Sequence, residues 1–174
     1  MSAPRSAQNS PFWTFSLRLY AEDGVADACL ALQDRQGIDV NLLLFLLWAA
    51  ANGRRLSIAE VRALVALTED WRGAVVVPLR LVRRALRTPP VAIDAAAAAA
   101  LRQDIKKAEL ESERLQQAAL FAHCPIDALG AAEARPEQAA AANVAAYAAV
   151  LATNFDPAPV ATILAALADL PEAP

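Results

Sequence analysis

Cysteine, histidine, glycine and lysine are scarce in this chain, and each scarcity removes a class of chemistry. The 2 cysteines, Cys29 and Cys124, stand far apart and form no CxxC, so their spacing encodes neither a zinc site nor a dithiol redox centre. They read as small buried hydrophobes kept reduced rather than as a disulfide. His123 is the single histidine and directly precedes Cys124. Neighbours in sequence on a helix point apart, so the two do not make a nucleophile–base pair. A cation at the end of a helix opposes the macrodipole, and that capping role is the simpler use of His123. The 5 glycines build no glycine-rich phosphate loop. Strand signals are almost missing. The opening stretch "MSAPRSAQNSPF" has no apolar h-region behind Arg5, so no signal peptide is expected, and residues 1–11 read as a disordered segment.

What remains is rich in apolar residues: 57% of the chain is hydrophobic, 20% is charged and the net charge is −3. A chain of 174 residues with that composition buries a core without staples and makes one domain. The most apolar stretch is "GIDVNLLLFLLWAAANG", residues 37–53. A helix of about 13 residues spans roughly 20 Å against roughly 30 Å of bilayer hydrocarbon, so this is expected to be a core helix with no transmembrane role.

Helical punctuation recurs along the rest. Pro11 opens a helix that breaks or bends near Gly24, and a second helix stops at Gly37. Asp39 is placed to cap the apolar helix, which Gly53 ends. "SIAE", residues 57–60, is a capping box that opens a helix to about Asp70. "VVVP" is ambiguous, because three β-branched residues favour extended structure while helices flank them, and Pro78 predicts a kink or a fresh helix start. Asp94 caps a long helix to about Phe121, in which Leu101, Ile105, Ala108, Leu115 and Ala119 form a near-heptad seam and Lys107 and Glu111 an i,i+4 pair. Pro136 starts an alanine-rich helix to about Thr153, and Asp156 with Pro157 the last one, to about Leu170. Alanine favours helix but buries little area, so this third should dock weakly or pack backbones closely. The expected fold is all-α: an irregular bundle of six to eight helices around one central apolar helix. Residues 12–122 are read as its helical core and 123–174 as an alanine-rich extension of the same domain.

The strongest candidate site is "PLRLVRRALR". Arg80, Arg83, Arg84 and Arg87 stand at i, i+3, i+4 and i+7, which puts four guanidinium groups on one helical face, with Leu79, Val82 and Leu86 on another. Such forks match carboxylate or phosphate oxygens. The same face also reads as solvated or paired internally, with Glu22, Asp23, Asp27 and Asp34 as candidate partners. The chain is acidic overall and its aromatics are not interleaved with the arginines, so nucleic acid is disfavoured. Trp13, Trp48 and Trp71 lie in apolar surroundings and read as core.

A second candidate is "EDGVAD". On one helix, Asp23 and Asp27 would present two carboxylates on the same side, a DxxxD pair resembling the magnesium-diphosphate motif of squalene and phytoene synthases. Gly24 interrupts the motif, and "DIKKAE" from Asp104 is a poor second aspartate helix. Capping around Gly24 is the commoner use of such residues.

The stretches "FWTFSLRLYAEDGVADACLALQDRQGIDVNLLLFLLWAA", "VVVPLRLVRRALR" and "LRQDIKKAELESERLQ" resemble a family of small uncharacterised proteobacterial proteins over residues 12–120. That resemblance implies a bacterial cytoplasmic protein and brings no activity, cofactor or catalytic residue. The expectation is therefore a non-enzymatic helical protein, without cofactor, that binds an acidic partner, most simply a protein, through Arg80, Arg83, Arg84 and Arg87. One alternative is a magnesium- and diphosphate-handling enzyme using Asp23 and Asp27. Another is a homo-oligomer held through residues 101–119.

Overall fold

The computed structural model describes residues 10–170. Residues 1–9, within the segment expected to be disordered, lie outside the described residues, whereas Ser10 and Pro11 begin a helix. The described fold is all-α apart from one short strand pair. Its helices are α1 (Pro11–Tyr20), α2 (Val25–Gln36), α3 (Val40–Ala51), α4 (Ile58–Trp71), α5 (Val77–Ala85), α6 (Ala95–His123), α7 (Pro136–Val150) and α8 (Pro157–Asp169). Strands β1 (Arg54–Arg55) and β2 (Ala131–Ala132) pair antiparallel, Arg54 opposite Ala132.

Polar caps set several helix starts, those at Asp39, Ser57 and Asp94 as the sequence predicts and that at Ser10 besides. The Ser10 hydroxyl accepts from the Trp13 amide at 3.0 Å, and the Asp39 carboxylate from the Asn41 amide at 2.9 Å. At the capping box the Ser57 hydroxyl takes the Glu60 amide at 3.3 Å while Glu60 reaches back to the Ser57 amide at 2.8 Å. Glu60 also accepts from the Gly130 amide at 2.7 Å, so one side chain caps α4 and holds the loop after α6.

The valines of "VVVP" are helical, not extended. Arg72–Val76 forms a π turn between α4 and α5, in which the Val77 amide donates to the Arg72 carbonyl. Pro78 explains it: in a regular α-helix its ring would collide with the carbonyl four residues back, and one wider turn moves that carbonyl away. The chain therefore neither stops nor turns sharply at Pro78.

α3 is the centre. Every residue from Asn41 to Ala50 is buried, with α1, α2, α6 and α7 around it. Phe12 stacks edge-on against Phe45 at 5.1 Å and lies 5.4 Å from Trp48. No helix among the described residues is long and apolar enough to cross a membrane. α7 runs along α3 with Ala139 and Ala140 fully covered, the close backbone approach that small residues permit. The Asp39 amide donates to the Tyr147 hydroxyl at 2.8 Å, and α8 packs on α2, where Arg35 meets Asp156 at 3.0 Å.

Helix α6 turns its near-heptad seam away from the core, with Leu101, Ala108 and Leu115 exposed and Ile105 and Ala119 half-buried. Glu109, Ser112, Gln116 and Gln117 are buried in its place. Apolar periodicity does not mark this inner face, because the groups α6 meets there are arginines and amides. The expected Lys107–Glu111 pair is replaced by two i,i+3 pairs, Lys107 with Asp104 and Arg114 with Glu111.

Candidate functional site

Half of the arginine row, Arg80 and Arg83, is spent inside the molecule. The Arg80 Nε donates to Glu109 at 3.1 Å and its Nη2 to Glu113 at 2.9 Å. Arg83 grips the same Glu109 through Nε and, at 3.1 Å, through Nη2. Arg84 pairs with Asp34 of α2 at the surface. Arg87 lies beyond the end of α5 and is exposed. Of the four acids expected to meet the row, only Asp34 does so; Glu109 and Glu113 of α6 hold the two inner arginines. α5 thus turns Arg80 and Arg83 toward α6 while Leu81 and Val82 are exposed.

Burial works to raise the Glu109 carboxyl, but the hydrogen bonds and charges of Arg83 and Arg80 outweigh it and hold it below the ordinary range. Glu113, one turn on, goes the other way: burial raises it, and the charge of Glu109 adds to the rise. The Tyr20 phenol nearby is also raised by burial.

Beside this cluster lies a cavity of about 310 Å³, walled by α1, α2, α3, α5 and α6. Trp13, Leu17, Tyr20, Leu30, Val40 and Leu44 give it apolar surface. Arg80, Arg83 and Lys106 face it with Glu109 and Glu113. Leu17, Leu30 and Leu110, all in its wall, are also substantially exposed, so apolar surface continues from the cavity to solvent. Two polar side chains in the wall, Ser16 at 3% and Gln117 at 4% exposure, each carry an oxygen without a hydrogen-bond partner. Such groups are rare in a folded interior, and both oxygens are enclosed, with almost no surface open to the cavity.

Gln117 ends a buried chain of amides. The Asp39 carboxylate accepts from Gln116 Nε2, and Gln116 Oε1 accepts from Asn41 Nδ2 at 3.4 Å. Asn41 Oδ1 in turn accepts from Gln117 Nε2 at 2.9 Å, leaving Gln117 Oε1 as the unpaired end. At the other end the Arg72 guanidinium approaches Asp39 at 4.0 Å. Burial raises the Asp39 carboxyl, against the lowering effect of Gln116 and Arg72.

The remaining candidates are not gathered here. Asp23 sits in the turn before α2 and Asp27 in its first turn, both exposed. Between them Gly24 adopts φ +77°, a left-handed conformation that separates the two carboxylates onto different elements, so DxxxD does not lie on one helix. Among the described residues no three His, Cys, Asp or Glu side chains are grouped as a metal site. Cys29 and Cys124 are free and buried, and burial pushes the Cys29 thiol up to about 12. Of the tryptophans only Trp48 is core; Trp13 lines the cavity, and Trp71 is partly exposed and donates to the Ser112 carbonyl at 3.0 Å.

Sequence reasoning missed Ser16, Asn41, Glu109, Glu113, Gln116 and Gln117. A signal existed for two of these groups: Asn41 is the one polar residue in an otherwise apolar helix, and Glu109 and Glu113 are spaced i,i+4.

The sequence pattern of a family described as "Protein of unknown function (DUF2390)" matches residues 11–120. Every residue lining the cavity falls inside that span. No curated protein and no solved structure matches the chain.

Proposed function

This chain belongs to that family of unknown function, and we propose that it is a non-enzymatic binding protein that seats an acidic partner protein at the cavity between α1, α2, α3, α5 and α6. The observation that carries the reading is the cavity wall: an arginine pair and Lys106 face an apolar lining that continues through exposed Leu17, Leu30 and Leu110 to the surface. Those leucines carry the apolar lining out to the surface, where an apolar side chain of a protein segment could lie along it. The wall contains Arg80, Arg83 and Lys106 against Glu109 and Glu113, an excess of one positive charge. That excess attracts a carboxylate-bearing segment. Arg84 and Arg87 extend the cationic row away from the cavity along α5.

Leu110 is 56% exposed, so replacing it should spare the fold. Leu110→Glu is expected to lower capture of an acidic protein at least tenfold in a low-salt pull-down, with an unchanged melting temperature. Bound protein should also be released by salt. An unchanged set of captured proteins in the variant, or none with the parent chain, would count against the reading.

A second reading rests on the outward face of α6. Leu101 and Leu115 are exposed there, and Leu67 and Trp71 of α4 are exposed as well, which supports association between copies of this chain. Replacing Leu101, Ile105 and Leu115 with Gln should then lower the mass found by sedimentation equilibrium. A parent chain already monomeric at high concentration removes this reading.

A further inference from the structure

We infer that the group seated in this cavity is the last residue of the partner protein: a large apolar side chain with the free chain-terminal carboxylate beside it. The inference rests on the cavity reading above and names the part of the partner that enters. Charge sets the first condition. Arg80, Arg83 and Lys106 line the cavity with Glu109 and Glu113, so its wall holds one positive charge in excess and takes one carboxylate. Donors for that carboxylate remain. Glu109 and Glu113 occupy Nε and Nη2 of both arginines, and among the described residues the Nη1 of each makes no hydrogen bond. Neither Nη1 is a buried atom without a partner, so both keep surface open to an occupant. Lys106 is exposed. A carboxylate is also the group that guanidinium forks match.

Size and lining set the other conditions. A cavity of roughly 150 Å³ holds a benzene ring, so the about 310 Å³ here accommodates one large side chain and its adjoining carboxylate. Trp13, Leu17, Tyr20, Val40 and Leu44 supply the apolar surface that such a side chain covers. An aspartate or glutamate inside a chain would bring the charge but little apolar body. A segment that enters and leaves again would carry two runs of backbone amides past those apolar side chains, where N–H and C=O groups lack partners. A terminal residue brings one run, and its carboxylate stands next to its own side chain. Exposed Leu17, Leu30 and Leu110 then lie along the residues that precede it. Capture of a chain-terminal carboxylate is a recurring mode of peptide recognition.

The test uses the full ¹⁵N-labelled chain at low salt, titrated with acetyl-diglycyl-phenylalanine and with three relatives of it. One ends in an amide and has no charge. The second is extended by an aspartate and amidated, so that an equal charge sits beside the ring inside the chain. The third is 3-phenylpropionate, the ring and carboxylate without a peptide. The free acid should shift amide signals around Leu17, Leu44 and Leu110 and bind at least fivefold more tightly than any of the three. An amide that binds equally well at those signals would overturn the carboxylate assignment and leave the cavity reading standing. An equally tight aspartyl peptide would overturn the chain end, and equally tight 3-phenylpropionate would make the occupant a free small acid. If no probe shifts those signals, both readings fail. Lys106→Gln removes the surplus charge at an exposed position and should lower the preference for free acid over amide at least threefold. Lys107→Gln, at a lysine that pairs with Asp104 outside the cavity wall, should leave that preference unchanged. Equal losses in the two variants, or none in either, would overturn the assignment of the carboxylate to the cavity's own cations.

Discussion

Glu109→Gln is expected to destabilise the protein by about 3 kcal/mol, measured as a shift in the urea midpoint with the slope unchanged. Glu109 is the shared anion of Arg80 and Arg83, whose side chains are only 12% and 18% exposed. Gln keeps the shape but cannot neutralise two guanidiniums, and Glu113 reaches only Arg80. The cost comes from cations left poorly compensated where water cannot take over. Glu113→Gln is the control: it removes a carboxyl whose folded form already resists ionisation, and Arg80 keeps Glu109, so the change should be small. The pH dependence separates the two. Glu109 is held below the ordinary carboxyl value when folded, so its stabilisation is present above that ordinary value and is lost as pH falls through the lowered one. Glu113 is raised, so its ionisation works against the fold as pH climbs from the ordinary value through the raised one. Glu109→Gln should therefore flatten the acid limb of the stability curve, and Glu113→Gln should remove the opposing slope above it.

Asn143→Ala should cost about the same, roughly 3 kcal/mol, although it deletes an uncharged side chain from an alanine-rich helix. Asn143 is fully buried. Its Oδ1 accepts from the Leu56 amide at 2.7 Å, and its Nδ2 donates to the carbonyls of Leu46 and Arg54, each at 3.0 Å. One amide thus ties α7 to α3, to β1 and to the chain entering α4. Alanine leaves the Leu56 N–H without its acceptor and strips two carbonyls of a donor, in a place closed to water. Hydrogen exchange at Leu56 should accelerate more than the global destabilisation explains. Exchange there that rises only in step with global unfolding would mean that the loop after α3 is held by something other than Asn143.

The architecture was legible where local chemistry speaks first. Ser57 and Glu60, Asp39, Asp94 and Pro136 announce helix starts because capping needs only residues a few positions apart. The apolar run from Leu42 to Ala50 announces the centre because nothing else in the chain can cover it. Orientation was less legible. The hydrophobic pattern of α6 marked Leu101 and Leu115 as a seam without saying what it faces, and the inner face instead carries Glu109, Gln116 and Gln117, whose partners lie 26 to 77 positions away. A buried polar residue is recognisable only with its partner, and the partner's place is a property of the fold. The arginine row shows the same limit: four guanidiniums were visible at helical spacing, but their separation into inner Arg80 and Arg83, bridged Arg84 and exposed Arg87 depends on where α2 and α6 come to rest.

The π turn at Arg72–Val76 works as a phase shift between two otherwise continuous stretches of helix. A wider turn adds one residue without ending the helix, and each residue of an α-helix advances the azimuth by about 100°. Sequence on either side is therefore indexed to a different wheel, with Leu64 and Thr68 facing inward upstream and Arg80 and Arg83 facing α6 downstream. Substitutions within either stretch leave the other's indexing intact. A one-residue deletion between Arg72 and Val76 would remove the extra residue and the wider turn together, leaving the guanidiniums on their acids while returning the Pro78 ring to the carbonyl four residues back.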